Sequence, residues 1–270
     1  MSTPCTVPIL MYHAIAHAPS PAALDLSVTP QAFAEQMAVL DDRGFTPLTT
    51  AELGTAWRGG RPLPARPVLI TFDDGYEGVH RHALPVLSGY GFGATLFVST
   101  GWLRGPYDTG GALDTMLDWD QTRELAAAGL EIGGHSHTHP QLDQVSDDRL
   151  WSEVTRCKHL VTDELGAPPV SFAYPYGHSS RRVRRAVRGA GFRQSLAVNN
   201  ALAGRCQGPY ALTRLTVRRD TATEEFARLV EGRAVGRYFA RERALTKGYA
   251  VVRRARQAAK AVGKVHGSRV

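Results

Sequence analysis

Val68-Leu69-Ile70-Thr71-Phe72-Asp73-Asp74-Gly75-Tyr76 places a run of apolar and β-branched residues directly before two carboxylates and a glycine. Such a run is typical of a strand that is buried on both faces, as in a parallel sheet. Two adjacent aspartates raise each other's pKa unless a cation or hydrogen bonds compensate. We therefore expect this strand to end at a polar site that contains a positive charge.

Three histidines lie within five residues in the segment Gly133-Gly134-His135-Ser136-His137-Thr138-His139-Pro140. One carboxylate and two imidazoles can bind a metal ion from one side, which leaves the other side open to water and substrate. The second aspartate of the pair would then be free to act as a base. The two segments together predict a metal-dependent hydrolytic site.

Strand-like and helix-like segments alternate along most of the chain. Predicted strands cover residues 7–13, 45–48, 68–72, 94–98, 130–134, 170–174, 194–198 and 212–217. Predicted helices cover 79–90, 118–128, 150–165 and 181–190, with Asp118 as the cap of the second. Three more are expected to start after the caps Thr29, Thr49 and Thr221. This alternation predicts an α/β fold built from parallel βαβ units. The glycine-rich segment 100–117 is expected to be a functional loop or lid.

The order of three motifs resembles that of the polysaccharide deacetylase family, also called carbohydrate esterase family four. The motifs are Thr71-Phe72-Asp73-Asp74-Gly75, then His135-Ser136-x-x-His139, then Phe172-Ala173-Tyr174-Pro175-Tyr176-Gly177, which matches in its Pro-Tyr half. The resemblance implies an incomplete (β/α) barrel of about seven parallel strands, similar to a TIM barrel. In such a barrel the active site lies at the C-terminal ends of the strands, and the candidate residues follow predicted strand ends.

The resemblance implies a role for each candidate residue. Asp74, His135 and His139 are the expected metal ligands, and Asp73 is the expected general base. The backbone N–H of Tyr176 is expected to bind the oxyanion. Zinc is the first choice of metal, with cobalt, nickel or iron as alternatives. The alternative is that these side chains form only a hydrogen-bonded polar cluster at a turn.

The sequence departs from the commonest family pattern near its end, where the strand motif Leu-x-Ile-x-x-His is expected. The segment 212–218 contains no histidine, whereas Met11-Tyr12-His13 stands at the N-terminus. This arrangement resembles the circularly permuted branch that includes poly-N-acetylglucosamine deacetylases. It implies that His13 is the general acid; the alternative is a buried histidine bonded to a backbone carbonyl.

A second departure is Ala173, where the commoner motif has an arginine that orients the catalytic aspartate. Arg214 is the proposed substitute partner of Asp73, and Arg218 is an equal candidate by sequence. Trp119 resembles the aromatic element near the groove, and His178 is a candidate substrate contact.

Charge and length suggest two parts. Of the 270 residues, 43% are hydrophobic, and the net charge is +7. Eleven Lys or Arg residues and one acid lie between Arg233 and Val270. We predict a catalytic barrel over residues 1–232 and a basic helical tail over 233–270. The tail either makes a weak contact with an anionic surface or is simply solvated, and no nucleic-acid partner is predicted.

No apolar run approaches the ~20 residues of a membrane span, and the N-terminus lacks the layout of a signal peptide. A cytoplasmic location is therefore predicted. The predicted function is metal-dependent N-deacetylation of an N-acetylhexosamine unit in a saccharide, glycoconjugate or biosynthetic intermediate, with this N-acetylated sugar as the partner. The alternatives are a hydrolase of a non-sugar amide or ester and a catalytically silent carbohydrate-binding protein. The oligomeric state is left open.

Overall fold

A computed structural model describes residues 6–245 of the chain. The strands are β1 (Thr6–Val7), β2 (Ile9–Tyr12), β3 (Ala14–Ile15), β4 (Ser27–Val28), β5 (Thr46–Leu48), β6 (Pro67–Phe72), β7 (Thr95–Val98), β8 (Glu131–Gly134), β9 (Ser171–Ala173), β10 (Gln194–Leu196), β11 (Ala203–Gly204) and β12 (Leu215–Thr216). The helices are α1 (Pro30–Asp42), α2 (Thr50–Trp57), α3 (Leu84–Tyr90), α4 (Trp119–Ala127), α5 (Asp147–Leu165), α6 (Arg181–Gly189), α7 (Thr223–Val230) and α8 (Val235–Tyr238).

Seven strands form one curled parallel sheet in the order β10-β9-β8-β7-β6-β2-β12. β5 adds to the sheet beside the first half of β6, with Thr46 opposite Pro67. An isolated parallel bridge joins Leu196 of β10 to Leu212, three residues before β12. The predicted α/β class and the incomplete barrel of about seven parallel strands are confirmed.

β6 lies at the centre of the sheet, and all six of its residues are buried. Because side chains alternate across a strand, Val68, Ile70 and Phe72 join the large cluster beneath the helices, whereas Leu69 joins a second cluster. This second cluster also contains Ile9, Phe97, Ala173 and Leu196 from neighbouring strands. Burial on both faces explains the continuous apolar run in the sequence.

The predicted caps at three helix starts are confirmed. The side chain of Thr29 accepts a hydrogen bond from Ala32 N–H before α1, and Thr49 forms a capping box with Glu52 before α2. Asp118 caps α4. The predicted cap at Thr221 is wrong: α7 is preceded by Ala222, because the Thr221 hydroxyl instead accepts the backbone N–H of Arg218 in the preceding turn.

The segment predicted as one helix over 79–90 divides into two. A π-helical turn at Val79–Ala83 is followed by α3. Pro85 lies in the first turn of α3. Because proline has no backbone N–H, the carbonyl oxygen four residues earlier lacks its usual α-helical hydrogen bond.

The C-terminal part of the described chain is packed on the barrel. Val235 and Phe239 are buried in the same cluster as Phe226 and Leu229, so the core continues beyond the predicted boundary at residue 232. Most of the predicted basic tail lies outside the described residues, and the division at 232 stays a prediction. Within 6–245, no helix has the length and apolar character needed to cross a membrane.

Candidate metal centre and active-site cleft

The C-terminal ends of the central strands border a cavity of about 840 Å³. This is the end of the barrel at which catalytic residues are expected. The predicted site residues that line the cavity are His13, Asp73, Asp74, His135, His139 and Tyr176. The fold thus brings together in one cleft side chains that lie up to 163 positions apart in the sequence.

Three donor atoms form a compact triangle at the base of this cavity. Asp74 Oδ1 lies 3.3 Å from Nε2 of both His135 and His139, and the two Nε2 atoms are 3.2 Å apart. Nitrogen and oxygen ligands held ~2.0–2.1 Å from a tetrahedral metal ion would be ~3.3 Å apart. Among the described residues, this is the one cluster of three or more potential ligands that could share an ion.

The hydrogen bonds around the triangle also favour a cation. Asp74 Oδ1 is buried without a hydrogen-bond partner, which is costly for a carboxylate oxygen unless a positive charge compensates. His135 Nδ1 lies 2.8 Å from the carbonyl oxygen of Ala173. A carbonyl can only accept, so Nδ1 carries a proton, and in the neutral ring Nε2 would present a lone pair to a metal ion. Burial lowers the pKa of His139 to about 4, so this imidazole is neutral and able to bind a metal near pH 7.

Left-handed backbone conformations occur at two of the three candidate ligands and between the two histidines. Asp74, two residues after the end of β6, has φ 75°, and His139 has φ 54°. Ser136, between the histidines, has φ 69°, and its hydroxyl accepts the backbone N–H of His139. Left-handed conformations of non-glycine residues cost ~1–3 kcal/mol each and are found mostly where function requires them.

Glu153 on α5 holds the loop that joins the two histidines. Its Oε2 accepts the backbone N–H groups of His137 and Thr138 at 3.0 and 2.7 Å, and its Oε1 accepts the Thr138 hydroxyl. Glu153 is buried on the apolar face of α5, beside Val154 and Cys157. The carboxylate therefore holds the backbone between the two histidine ligands.

Asp73 forms a bidentate ion pair with Arg214. The guanidinium nitrogens lie 2.6 and 2.7 Å from the two carboxylate oxygens, and both side chains are buried. Burial alone would raise the pKa of Asp73, but Arg214 and then His135 outweigh it and hold this pKa below its ordinary value. Arg218, the other candidate, instead pairs with Glu242 at 3.3 Å.

His13 and Tyr176 border the cleft from two sides. His13 directly follows β2, whose last residue Tyr12 is paired with Phe72, so His13 is adjacent to Asp73 at the strand ends. It is partly exposed. The Tyr176 ring is 54% exposed and lies 4.8 Å from the His139 ring, centroid to centroid. Tyr176 also has a left-handed backbone, with φ 58°.

The sequence did not identify Trp102, which lies against the His139 ring at 4.5 Å between centroids and lines the cavity. Trp119, the predicted groove aromatic, is buried beside Tyr107 and is not among the cavity residues. That interpretation is therefore corrected. Trp102 lies in an irregular loop without periodicity, and no sequence signal marked it.

His137, between the two predicted ligands, is buried and turned away from them. Its Nδ1 lies 2.9 Å from the Thr100 hydroxyl. Glu153, in contrast, could have been found, because a carboxylate at a helical spacing that faces the core is an unusual choice unless it has a polar partner.

The predicted loop over 100–117 forms part of the cavity wall. Gly111 and Leu113 line the cavity opposite Leu24. The segment is attached to the N-terminal part of the chain, where Ser20 N–H donates to Asp114 and the Ser20 hydroxyl contacts the carbonyl oxygen of Leu113.

Comparisons with known proteins agree with this geometry. The model of the polysaccharide deacetylase family matches residues 60–195, about half of the chain. YxkH of Bacillus subtilis (strain 168), which bears the name of the same family, is 29% identical over 228 residues, covering 84% of this chain and 77% of that protein. The poly-beta-1,6-N-acetyl-D-glucosamine N-deacetylase of Escherichia coli (strain K12) is 24% identical over 76% of this chain but only 36% of its own length.

Two solved structures share the fold. The deacetylase PplD of Streptococcus pyogenes, in complex with acetate, is 28% identical and superposes with a TM-score of 0.75 over 84% of this chain and 99% of PplD. IcaB of Ammonifex degensii, at 23% identity, has a TM-score of 0.70 over 85% of this chain and 98% of that one. With its motifs, its barrel and its matched family model, the chain belongs to the polysaccharide deacetylase family.

Proposed function

We propose that this protein is a metal-dependent N-deacetylase that releases acetate from an N-acetylhexosamine unit of a saccharide, glycoconjugate or biosynthetic intermediate. The observation that carries the proposal is the triangle of Asp74, His135 and His139 beside a second carboxylate, Asp73. Three donors that face one another at 3.2–3.3 Å suit a divalent cation. A bound ion of this kind polarises an acyl oxygen and lowers the pKa of water.

Asp73 is the group that we assign to proton removal from the attacking water. It lies beside the ligand triangle, with its Oδ2 3.9 Å from His135 Nε2. Its carboxylate is kept ionised by Arg214, so it can accept a proton at neutral pH. The bidentate contact also fixes the carboxylate plane, and a fixed base is more effective than a mobile one.

His13 is assigned to protonation of the leaving amine, because it lies at the adjacent strand end and remains partly exposed to the cleft. The backbone N–H of Tyr176 is assigned to the oxyanion that develops on the acyl carbon. The exposed Tyr176 ring and Trp102 flank His139, and flat aromatic surfaces of this kind pack well against sugar faces. These roles extend the family pattern residue by residue to this chain.

Zinc is our first choice for the ion, since one carboxylate and two neutral imidazoles suit it. Cobalt, nickel and iron fit the same donor set. A polymer or oligomer of N-acetylglucosamine is the first substrate to test, because the Escherichia coli relative is named for that activity. We keep the cytoplasm as the proposed location.

The experiment is acetate release from a panel of N-acetylated oligosaccharides, simple amides and acetyl esters by metal-reconstituted protein. We expect turnover of the sugars and loss of at least ~10²-fold in Asp73→Asn, whereas Asp163→Asn, an exposed change on α5, should retain it. Preferential cleavage of simple amides or esters would favour a non-sugar hydrolase. Metal binding with no acetate from any substrate would favour a silent carbohydrate-binding protein.

A further inference from the structure

Helix α6 carries five arginines and no acid in the nine residues Arg-Arg-Val-Arg-Arg-Ala-Val-Arg-Gly. Its two valines are buried, so the helix is anchored by its apolar side. Arg182 is used within the fold, because it pairs with Asp147 and donates to two carbonyl oxygens. Arg181, Arg184, Arg185 and Arg188 are exposed, and within residues 6–245 none of these four forms an ion pair with an acid. We call these four residues the arginine face.

The arginine face is an unfavourable arrangement for an isolated helix. Four pairs of its members are three or four residues apart, so these side chains are neighbours along the helix surface. Like charges at such spacings destabilise a helix by ~0.2–0.5 kcal/mol per pair, and Arg181 also lies at the positive end of the helix dipole. Bound anions would remove both costs.

The arginine face begins close to the cleft. α6 starts five residues after Tyr176, which lines the cavity. His178 lies between Tyr176 and the start of α6 in the chain, and its ring is 6.3 Å from the Tyr176 ring, centroid to centroid, at an interplanar angle of 29°. The nine residues of α6 span a further ~13 Å.

An exposed aromatic ring lies at the far end of the same helix. Trp151 on α5 is 49% exposed, and its ring lies 3.5 Å from the position that a Cβ on Gly189 would occupy. A large aromatic side chain that is half exposed can stack on the face of a sugar ring. The surface therefore combines guanidinium groups, which suit carboxylate and phosphate oxygens, with a stacking platform.

We propose that the arginine face and Trp151 bind an anionic polysaccharide while one of its N-acetylated sugars occupies the cleft. This inference rests on the proposed deacetylase function and names the class of its substrate as a polymer that carries carboxylate or phosphate groups. The sugars nearest to the reacting unit fill the cleft, and the charged groups further along the polymer pair with the guanidiniums. A neutral short oligosaccharide would use the cleft alone.

The test compares two triple variants with the same change in charge. Arg181→Gln, Arg185→Gln and Arg188→Gln remove most of the arginine face. Arg61→Gln, Arg205→Gln and Arg237→Gln remove three other exposed arginines and serve as the control. Binding is measured against hyaluronan, which contains N-acetylglucosamine and carboxylates, against phosphomannan, which carries phosphates, and against a neutral chitooligosaccharide, at several salt concentrations.

We expect the arginine-face variant to bind hyaluronan or phosphomannan about tenfold more weakly than wild type, with a smaller salt dependence. The control variant should change by less than about twofold. A weakened affinity for hyaluronan would identify carboxylates as the group that is bound, and a weakened affinity for phosphomannan would identify phosphates. Both variants should release acetate from the neutral oligosaccharide at the wild-type rate. Trp151→Ala should weaken binding of the same polymer without altering its salt dependence.

Equal losses in the two triple variants would overturn the proposal, because the effect would then reflect net charge alone. Absence of binding to both polymers would also overturn it, as would binding of anionic phospholipid vesicles that depends on the arginine face while polymer binding does not. Asp73→Asn separates this inference from the proposed function. It should abolish acetate release and leave polymer binding unchanged, so each idea can fail without the other.

Discussion

Arg214 and Asp73 are joined by two hydrogen bonds of 2.6 and 2.7 Å inside the barrel. By strand register, Arg214 is level with Ile9 and Leu69, and Leu69 lies four residues before Asp73 in the chain. The long Arg214 side chain therefore extends through the interior toward the C-terminal ends of the strands. It passes within 3.3 Å of the Thr71 hydroxyl and ends at the Asp73 carboxylate. Arg214, which directly precedes β12, thus provides the guanidinium that the common motif supplies at the position of Ala173.

Replacing Arg214 should change the pH dependence of catalysis. In the wild type the pKa of Asp73 is lowered, so the carboxylate stays ionised and active as the pH falls. In Arg214→Met, burial is no longer opposed by the guanidinium, the pKa of Asp73 rises, and activity should be lost at a higher pH. We expect the acidic limb of the plot of kcat/KM against pH to shift to higher pH.

Arg214→Met should also lower the free energy of unfolding by ~3–5 kcal/mol, the usual result of leaving one charge of a buried pair alone. Arg214→Lys should give a smaller shift of the acidic limb, because lysine keeps the charge without the bidentate geometry. Arg218→Met should leave the limb where it is. An unchanged acidic limb in Arg214→Met would remove this ion pair from the mechanism.

His13→Ala should lower turnover by ~10²-fold or more and leave metal content intact, since the proposed role of His13 is proton donation and not ligation. His17→Ala is the matched control, because His17 follows closely in sequence and is exposed but is not among the residues of the large cavity. Turnover and metal content are measured on the same samples. Near-normal turnover in His13→Ala would show that another group protonates the amine.

His139→Ala should lower metal affinity and turnover together. The substitution removes one of three donors, and the remaining pair, Asp74 and His135, cannot supply the three protein ligands that catalytic zinc sites usually have. A chelator should likewise abolish wild-type activity, and added zinc or cobalt should restore it. Full activity of exhaustively chelated protein would contradict a metal-dependent reaction.

Glu153→Gln should weaken metal binding by ~10-fold, in the range seen when groups that support metal ligands are altered. The Glu153 carboxylate accepts three hydrogen bonds from the loop between the histidines. Glutamine has the same shape but only one acceptor oxygen, so it cannot accept all three in the same way. Glu164→Gln, a change further along the same helix, should have little effect. The absorption spectrum of cobalt-substituted protein would report a changed ligand geometry, whereas a loss of thermal stability alone would indicate a purely structural role.

Much of the fold and of the cleft could be predicted because the informative residues are local. The apolar run before Asp73 and Asp74 identifies a buried strand and its functional end, and the Thr49–Glu52 capping box identifies a helix start. Residues at the ends of parallel strands must converge, so the approach of His13, Asp73 and His135 follows from the chain order.

Other features depend on tertiary register. Arg214 and Arg218 are four residues apart, so on a strand their side chains would lie on the same face. Sequence alone therefore could not decide which of them contacts Asp73. The prediction that Thr221 caps α7 was wrong because its hydroxyl accepts the Arg218 N–H in the preceding turn. Trp102 was missed because its position against His139 depends on a tertiary contact, in which the neighbouring Gly101 N–H donates to the carbonyl oxygen of His137.

The most direct measurement of the central claim is acetate release from an N-acetylglucosamine oligosaccharide, titrated with zinc from the metal-free protein. We predict that activity rises in proportion to added metal, reaches a plateau at one equivalent, and is absent at every point in Asp73→Asn although that variant binds the same single equivalent. Activity that does not depend on added metal, or an Asp73→Asn variant as active as wild type, would contradict the account.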